Sequence, residues 1–262
     1  MKYIKQFLIF FLLTIITQIG GIIYLLSIWV SEKWNKNFRF KKGTTFIVLY
    51  LITTFGIIPS LAKLNGREKV IHTDKIKPTN FMTVVLNRNY VRPELNKLLA
   101  ETDQKLSNSN FELRYLDANF PFINNFPLLP HLSHKDGKKI DLSLVYETEN
   151  GKITNSKKSM SGYGVFENPT EKEFNQIEKC KTLGYFQYDY PKYLTLGKIN
   201  NELNFSDKGN TELIKALLKN EKLGKLFIEP HLKQRLNLSH NKIRYHGCRA
   251  VRHDDHIHIQ LK

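Results

Sequence analysis

Two stretches near the N-terminus carry no charge. Phe7 to Val30 runs for 24 residues and Thr44 to Ala62 for 19 without a charged side chain. About 20 apolar residues cross a hydrocarbon core roughly 30 Å thick. The pattern therefore predicts a two-helix transmembrane hairpin within residues 1–65, with spans at about 7–30 and 44–62. A cleaved signal peptide has an apolar core of about 7–15 residues. The first stretch is longer than that and a second follows, so it reads as an anchor.

From residue 66 onward the periodicity changes. Apolar residues recur at helical spacing over 92–106, with Pro93 in the first turn. Residues 111–116 read as a short strand. Over 139–146 Ile140, Leu142 and Leu144 take one face while Asp141, Ser143 and Val145 take the other, a half-buried strand. Residues 151–154 follow Glu-Asn-Gly and are expected to return as its hairpin partner. Helices are predicted over 171–182 and 211–222, and a strand from 227 that breaks at Pro230. At the C-terminus His256, His258 and Gln260 share one face and Ile257, Ile259 and Leu261 the other. Strands and helices without regular alternation predict an α+β fold with an antiparallel sheet, one domain over 66–262.

Charge sets the expected orientation. The loop between the apolar stretches holds Lys33, Lys36, Arg39, Lys41 and Lys42 against Glu32. It is the densest basic cluster, so it is expected on the cytoplasmic side, with both termini outside. Lys2 and Lys5 precede the hairpin, and Lys63, Arg67 and Lys69 follow it. The chain has 40 Lys+Arg and 24 Asp+Glu; residues 1–65 hold eight and one of these, which leaves 32 against 23 in the rest. A basic surface suits an anionic partner such as cell wall, lipid headgroups or nucleic acid. Nucleic acid is set aside, because no recognition helix or aromatic RNA motif is visible. The two cysteines, Cys180 and Cys248, could pair outside the cytoplasm or stay buried as thiols.

Seven of the nine histidines fall in two short segments. The first is His131-Leu-Ser-His134-Lys-Asp-Gly137-Lys-Lys-Ile-Asp141. The second holds His240 and His246, then His253-Asp-Asp-His256-Ile-His258. Imidazole and carboxylate together are a zinc donor set, binding at about 2.0–2.2 Å in tetrahedral geometry. His256 and His258 project from one strand face, Asp141 from the polar face of another, and Gly137 permits a tight turn between His134 and that strand. Three protein ligands leave a fourth place for water, as catalysis needs. His72, His231, His240 and His246 are read as structural.

These motifs resemble the superfamily that joins lysostaphin-type peptidases, D-Ala-D-Ala metallopeptidases and hedgehog domains. Its signature is His-x6-Asp followed by His-x-His, seen here as His134…Asp141 and His256-Ile-His258. The murein endopeptidases that are insensitive to penicillin are the most similar members. They share His-x-Ser-His-x-x-Gly at 131–137, His-Asp-Asp-His-x-His at 253–258 and a Phe-Ile-Glu-Pro stretch at 227–230. The resemblance covers about residues 125–262 as scattered motifs. It implies Zn2+ held by His134, Asp141 and His258, with His256 as the catalytic residue. It leaves His131 and His253 to support the ligands or touch substrate. The soluble members lack a membrane hairpin. Some hold a second metal through an extra Asp-x-x-His, but no His occurs here between His134 and His231.

The activity implied is hydrolysis of an amide in peptidoglycan stem peptides, most directly a cross-link cut by a DD-endopeptidase. Arg244 and Arg249 are candidates to hold the substrate's carboxylates. The alternatives are a D-Ala-D-Ala carboxypeptidase or dipeptidase, and a zinc-containing wall-binding module without catalysis. The expected location is the bacterial inner membrane with the catalytic domain in the periplasm; no oligomeric state is implied.

Overall fold

The computed structural model describes residues 2–34 and 40–262. Lys36 and Arg39, counted above in the basic loop, lie outside the described residues. The chain divides into two compact units.

The first unit takes residues 1–70, 81–93 and 117–138. It therefore includes two segments that the sequence reading assigned to the domain after residue 65. Its helices are α1 (Lys2–Thr17), α2 (Gly20–Glu32), α3 (Lys41–Ile52), α4 (Ile58–Leu64) and α5 (Phe81–Val85). A turn of π-helix, Thr53–Ile57, joins α3 to α4. Pro59 explains it: the ring has no N–H to offer and crowds the carbonyl four residues back, so the helix widens there. The continuous run Lys41–Leu64, 24 residues, is long and apolar enough to cross a membrane.

The first apolar stretch is not the single helix that its composition predicts. It breaks at Gln18, which has φ 67°, and α2 folds back on α1. Gly20 and Gly21 make the close approach possible. A Cβ on Gly21 would lie 2.0 Å from Thr14 Oγ1 and 2.6 Å from the Phe10 carbonyl oxygen. Neither α1 nor α2 alone has the length of a span, so among the described residues only the second of the two expected spans, Lys41–Leu64, meets that length.

The second unit takes residues 71–80, 94–116 and 139–262. Its main sheet has six strands: β1 (Ile76–Pro78), β2 (Leu113–Tyr115), β3 (Lys139–Ser143), β4 (Leu223–Phe227), β5 (Ile243–Arg244) and β6 (His256–Leu261). Their order is β5-β4-β6-β3-β2-β1. The pairs inside, β4 with β6, β6 with β3 and β3 with β2, are antiparallel; both edge strands are parallel to their neighbours. The fold is thus mixed α and β, with a sheet that is antiparallel where the histidines lie and parallel at its edges. A small second sheet pairs Tyr146–Glu147 with Ile153–Thr154, the expected hairpin return, and with Asn204–Phe205.

The helices of the second unit are α6 (Pro93–Lys105), α7 (Gln176–Thr182), α8 (Asp207–Leu218) and α9 (Pro230–Arg235), of which α8 packs on β4. Their starts follow capping chemistry. The Asn175 side chain accepts from Glu178 N at 3.0 Å. Ser206 Oγ accepts from Gly209 N at 3.2 Å. Pro93 and Pro230 open α6 and α9. Helix α8 starts four residues before the predicted 211 because Ser206 is its cap, and α7 starts five residues after the predicted 171 because Asn175 is its cap. On β6 Ile257 and Ile259 are fully buried, and so are Ile140 and Leu142 on β3, which fixes the opposite face of both strands.

Candidate metal centre

Register brings the first pair of site residues together. His258 lies directly opposite Asp141 across the β6–β3 pair, and His256 opposite Ser143. Cross-strand partners stand about 4.5–5.5 Å apart at Cβ, so two short side chains there must meet. His258 Nδ1 is 2.8 Å from Asp141 Oδ1. Asp141 Oδ2 accepts from the Tyr163 hydroxyl at 2.9 Å. His256 Nε2 lies 3.7 Å from Asp141 Oδ1. All three of these histidine and aspartate side chains are buried.

His256 is held from its other nitrogen. Its Nδ1 is 2.5 Å from Asp255 Oδ1, and Asp255 Oδ2 accepts from Gly164 N at 2.6 Å. Because a carboxylate accepts, Nδ1 of His256 carries a proton. Gly164 has φ +80°, and a Cβ there would lie 2.1 Å from the Pro191 carbonyl oxygen. Only glycine fits this turn, and the turn also presents Tyr163, whose ring meets His256 edge-on at 5.1 Å. Burial works against a charged His256, but Asp141 and Asp255 outweigh it and push its pKa up to about 9.

His253 has the reverse environment. Burial, then the neighbouring His256, His246 and His258, hold it well below the usual histidine value. It stacks on His246 at 4.5 Å between centroids, and His246 stacks on Phe227 at 3.9 Å. The loop leading into β6 is fixed by Glu229. Its Oε1 accepts from His253 N at 2.9 Å and its Oε2 from the Tyr188 hydroxyl at 2.7 Å. Arg252 adds bonds to Asp254, Asp189 and Asn168.

On the segment before β3, His134 is buried, and its Nδ1 donates to the Ala118 carbonyl at 2.6 Å. A carbonyl can only accept, so Nδ1 of His134 carries a proton. His131 lies beside it with ring centroids 5.5 Å apart, and its Nε2 is 3.8 Å from Asp117 Oδ2. Gly137 turns the chain at φ +80° beneath Arg67 and Arg92. Along 131–141, His131, His134 and Asp141 each offer a ligand atom within 4.8 Å of the others. Tetrahedral ligands at 2.0–2.2 Å stand about 3.3–3.6 Å from one another, so the group is one that could hold a metal ion.

Other candidates fall elsewhere. Arg244 and Arg249 are exposed, and an Arg244 nitrogen bonds the Ile243 carbonyl. His72 bonds the Tyr115 hydroxyl and His231 is buried in the second unit. Tyr163, Asp255 and Glu229 are site residues to which sequence reasoning gave no role. The Gly-Tyr-Gly triplet at 162–164, which sequence reasoning did not use, is the signal in the chain for this constrained turn.

No protein-family model matches the chain, and no curated protein matches it.

Proposed function

We propose that the protein is a zinc-dependent peptidase that hydrolyses an amide in peptidoglycan stem peptides, acting as a DD-endopeptidase on cross-links. The observation that carries this reading is the position of Asp141: its ligand atom lies within 4.8 Å of those of His131 and His134, and His258 Nδ1 is 2.8 Å from Oδ1. His134, Asp141 and His258 would hold the ion. When bound, zinc supplies Lewis acidity to the scissile carbonyl and lowers the pKa of a water towards about 7.

The chain's own residues do the rest. Asp255 holds His256 at Nδ1, so that Nε2 faces the reacting groups and carries or receives the proton that passes to the leaving amine. Tyr163 and His258 orient the Asp141 carboxylate. Burial excludes bulk water from all of these groups and strengthens their fields. The disulfide between Cys180 and Cys248 supports a compartment outside the cytoplasm, and Lys41–Leu64 supports a membrane tether in the inner membrane.

The test uses the full chain in detergent. Metal content is measured, and cross-linked peptidoglycan is digested with and without chelator. Conversion of dimeric to monomeric muropeptides that chelator abolishes supports the endopeptidase. Release of terminal D-Ala alone points to a carboxypeptidase. Wall binding without cleavage, retained in His256→Ala and lost in His134→Ala, points to a binding module.

A further inference from the structure

The N-terminal helices are built inside out. Their outward side chains are apolar: Phe7 is 60% exposed and Ile22 66%, and Leu12 and Leu26 point outward too. Gly20, Gly21, Ser27 and Ser31 are buried. Hydroxyls are satisfied within their own helix: Thr14 and Thr17 donate to the Phe10 and Leu13 carbonyls at 2.8 Å, and Ser27 and Ser31 to those of Tyr24 and Ile28 at 2.7 and 2.8 Å. Small residues at helix contacts, apolar side chains outside and no polar group left to solvent are the requirements of a helix in lipid.

The direction of each helix is set by its contacts. Gly21 approaches Phe10, eleven residues earlier; a straight helix would hold them about 16 Å apart. So α2 runs antiparallel to α1. Tyr24 packs on Phe46 at 6.4 Å, while Ile19 and Ile23 share a cluster with Tyr50, Ile58 and Ala62. So α2 also runs antiparallel to the long helix. The turn at Gln18 therefore lies at the Ala62 end, and the chain's N-terminus lies at the Lys41 end.

The two ends differ in chemistry. At the Ala62 end Gln18 Oε1 accepts from Phe122 N at 2.9 Å. Polar groups of this unit reach in as far as the Tyr50 hydroxyl, which donates to the Val85 carbonyl at 2.8 Å and accepts from the same Asn87 amide that bonds the Thr54 hydroxyl, and to the Thr54 carbonyl, which accepts from Lys69. From Lys41 to Thr54 is about 20 Å, and the 13 residues of α2 are about as long. The three segments thus share one apolar depth. The other end carries Lys5, Lys33, Lys41 and Lys42. Lys33 lies over the Trp29 ring at 3.8 Å, and Lys41 Nζ donates to the Trp34 carbonyl at 2.7 Å. Trp beside Lys marks a membrane surface, and clustered Lys/Arg marks its cytoplasmic side.

We propose, independently of any hydrolytic activity, that α1 and α2 are embedded in lipid along with the long helix. The chain then crosses the bilayer three times, with Lys5, Lys33 and Lys41 on the cytoplasmic face and the Gln18 turn on the opposite face. This replaces the two-span topology expected from hydropathy, which puts the N-terminus outside. An apolar depth of about 20 Å is less than a typical 30 Å core, so the bilayer thins around the bundle.

Variants Lys5→Cys, Lys42→Cys and Lys63→Cys are each made separately in the full chain, whose Cys180 and Cys248 are joined in a disulfide. They are expressed in intact cells and treated with a membrane-impermeant maleimide before and after permeabilisation, with the unmutated chain as the labelling blank. Tyr3→Cys replaces Lys5→Cys if the latter is not made. Membrane extraction at high pH checks insertion of each. The expected result is labelling of Lys63→Cys in intact cells, and of Lys5→Cys and Lys42→Cys only after permeabilisation. Labelling of Lys5→Cys with Lys63→Cys from outside would overturn the third pass. Labelling of Lys42→Cys from outside, or release of the protein by alkaline extraction, would overturn the placement in lipid.

Discussion

The Tyr163 hydroxyl donates to Asp141 Oδ2 at 2.9 Å, from a turn that Gly162 and Gly164 hold at positive φ. The two residues are 22 positions apart, yet the phenol holds one carboxylate oxygen while His258 Nδ1 lies 2.8 Å from the other. Partners of this kind change metal affinity by about 10–100-fold when removed. Tyr163→Phe keeps the ring against His256 and deletes only the hydroxyl. It is expected to weaken metal binding by about 10–100-fold with an unchanged far-ultraviolet circular dichroism spectrum. Chelator competition measures the affinity; an unchanged value would make Tyr163 a packing residue.

Two histidines compete for the third ligand position. His131 belongs to the group whose ligand atoms lie within 4.8 Å. His258 has its Nδ1 2.8 Å from Asp141 Oδ1, closer than the 3.3 Å or so expected for two ligands of one tetrahedral ion. A distance of 2.8 Å is that of a hydrogen bond, which an arriving cation would replace. His258→Ala is therefore expected to lose metal by more than the roughly 100-fold upper end of supporting contacts, and His131→Ala to retain most of it. Metal content of the purified variants decides; the reverse order would make His131 the ligand.

Much of this centre is legible in sequence because strands alternate. Ile257 and Ile259 must face the core, so His256 and His258 face away from it, and the register places His258 opposite Asp141 as the two polar faces require. Contacts set by distant chain are not legible. Nothing near Asp141 announces Tyr163, and nothing near His253 announces that Glu229 holds its backbone. The break at Gln18 is hidden because an apolar stretch looks the same whether straight or folded back; Gly20-Gly21 is its one trace. The edges of the main sheet are parallel because β1 and β5 each come back beside a neighbour by a crossover, which strand periodicity does not encode.

The Cys180–Cys248 disulfide closes a loop with a sequence separation of 68 and ties α7 to the chain just after His246. Chain-entropy reasoning gives about 4 kcal/mol for a loop of that size, within the range of about 2–5 kcal/mol seen for native disulfides. The Cys180→Ser, Cys248→Ser double variant is expected to lose about that much in urea unfolding. Reductant is expected to lower the stability of the native chain and to leave the variant unchanged. Equal midpoints for both chains without reductant would show that the crosslink constrains nothing the fold does not already fix.

His231 gives the chain an acid-sensitive step outside the metal centre. It is fully buried, and its Nε2 donates to the Glu167 carbonyl at 2.7 Å. Burial is the main cause that lowers its pKa to about 4; the bond to Glu167 and the charge of Glu173 pull it up, while Arg235 and Arg252 push it down. In the unfolded chain it titrates near 6.5. Between these values the unfolded state binds more protons, so stability falls as pH falls. The full difference is about 3 kcal/mol below pH 4, and about 2 kcal/mol of it is lost between pH 7 and pH 5. His231→Gln cannot titrate and retains a donor for the Glu167 carbonyl. Its urea midpoint is expected to change less between pH 7 and 5 than that of the native chain, by the equivalent of about 2 kcal/mol. Parallel profiles for the two proteins would assign the acid sensitivity to other groups.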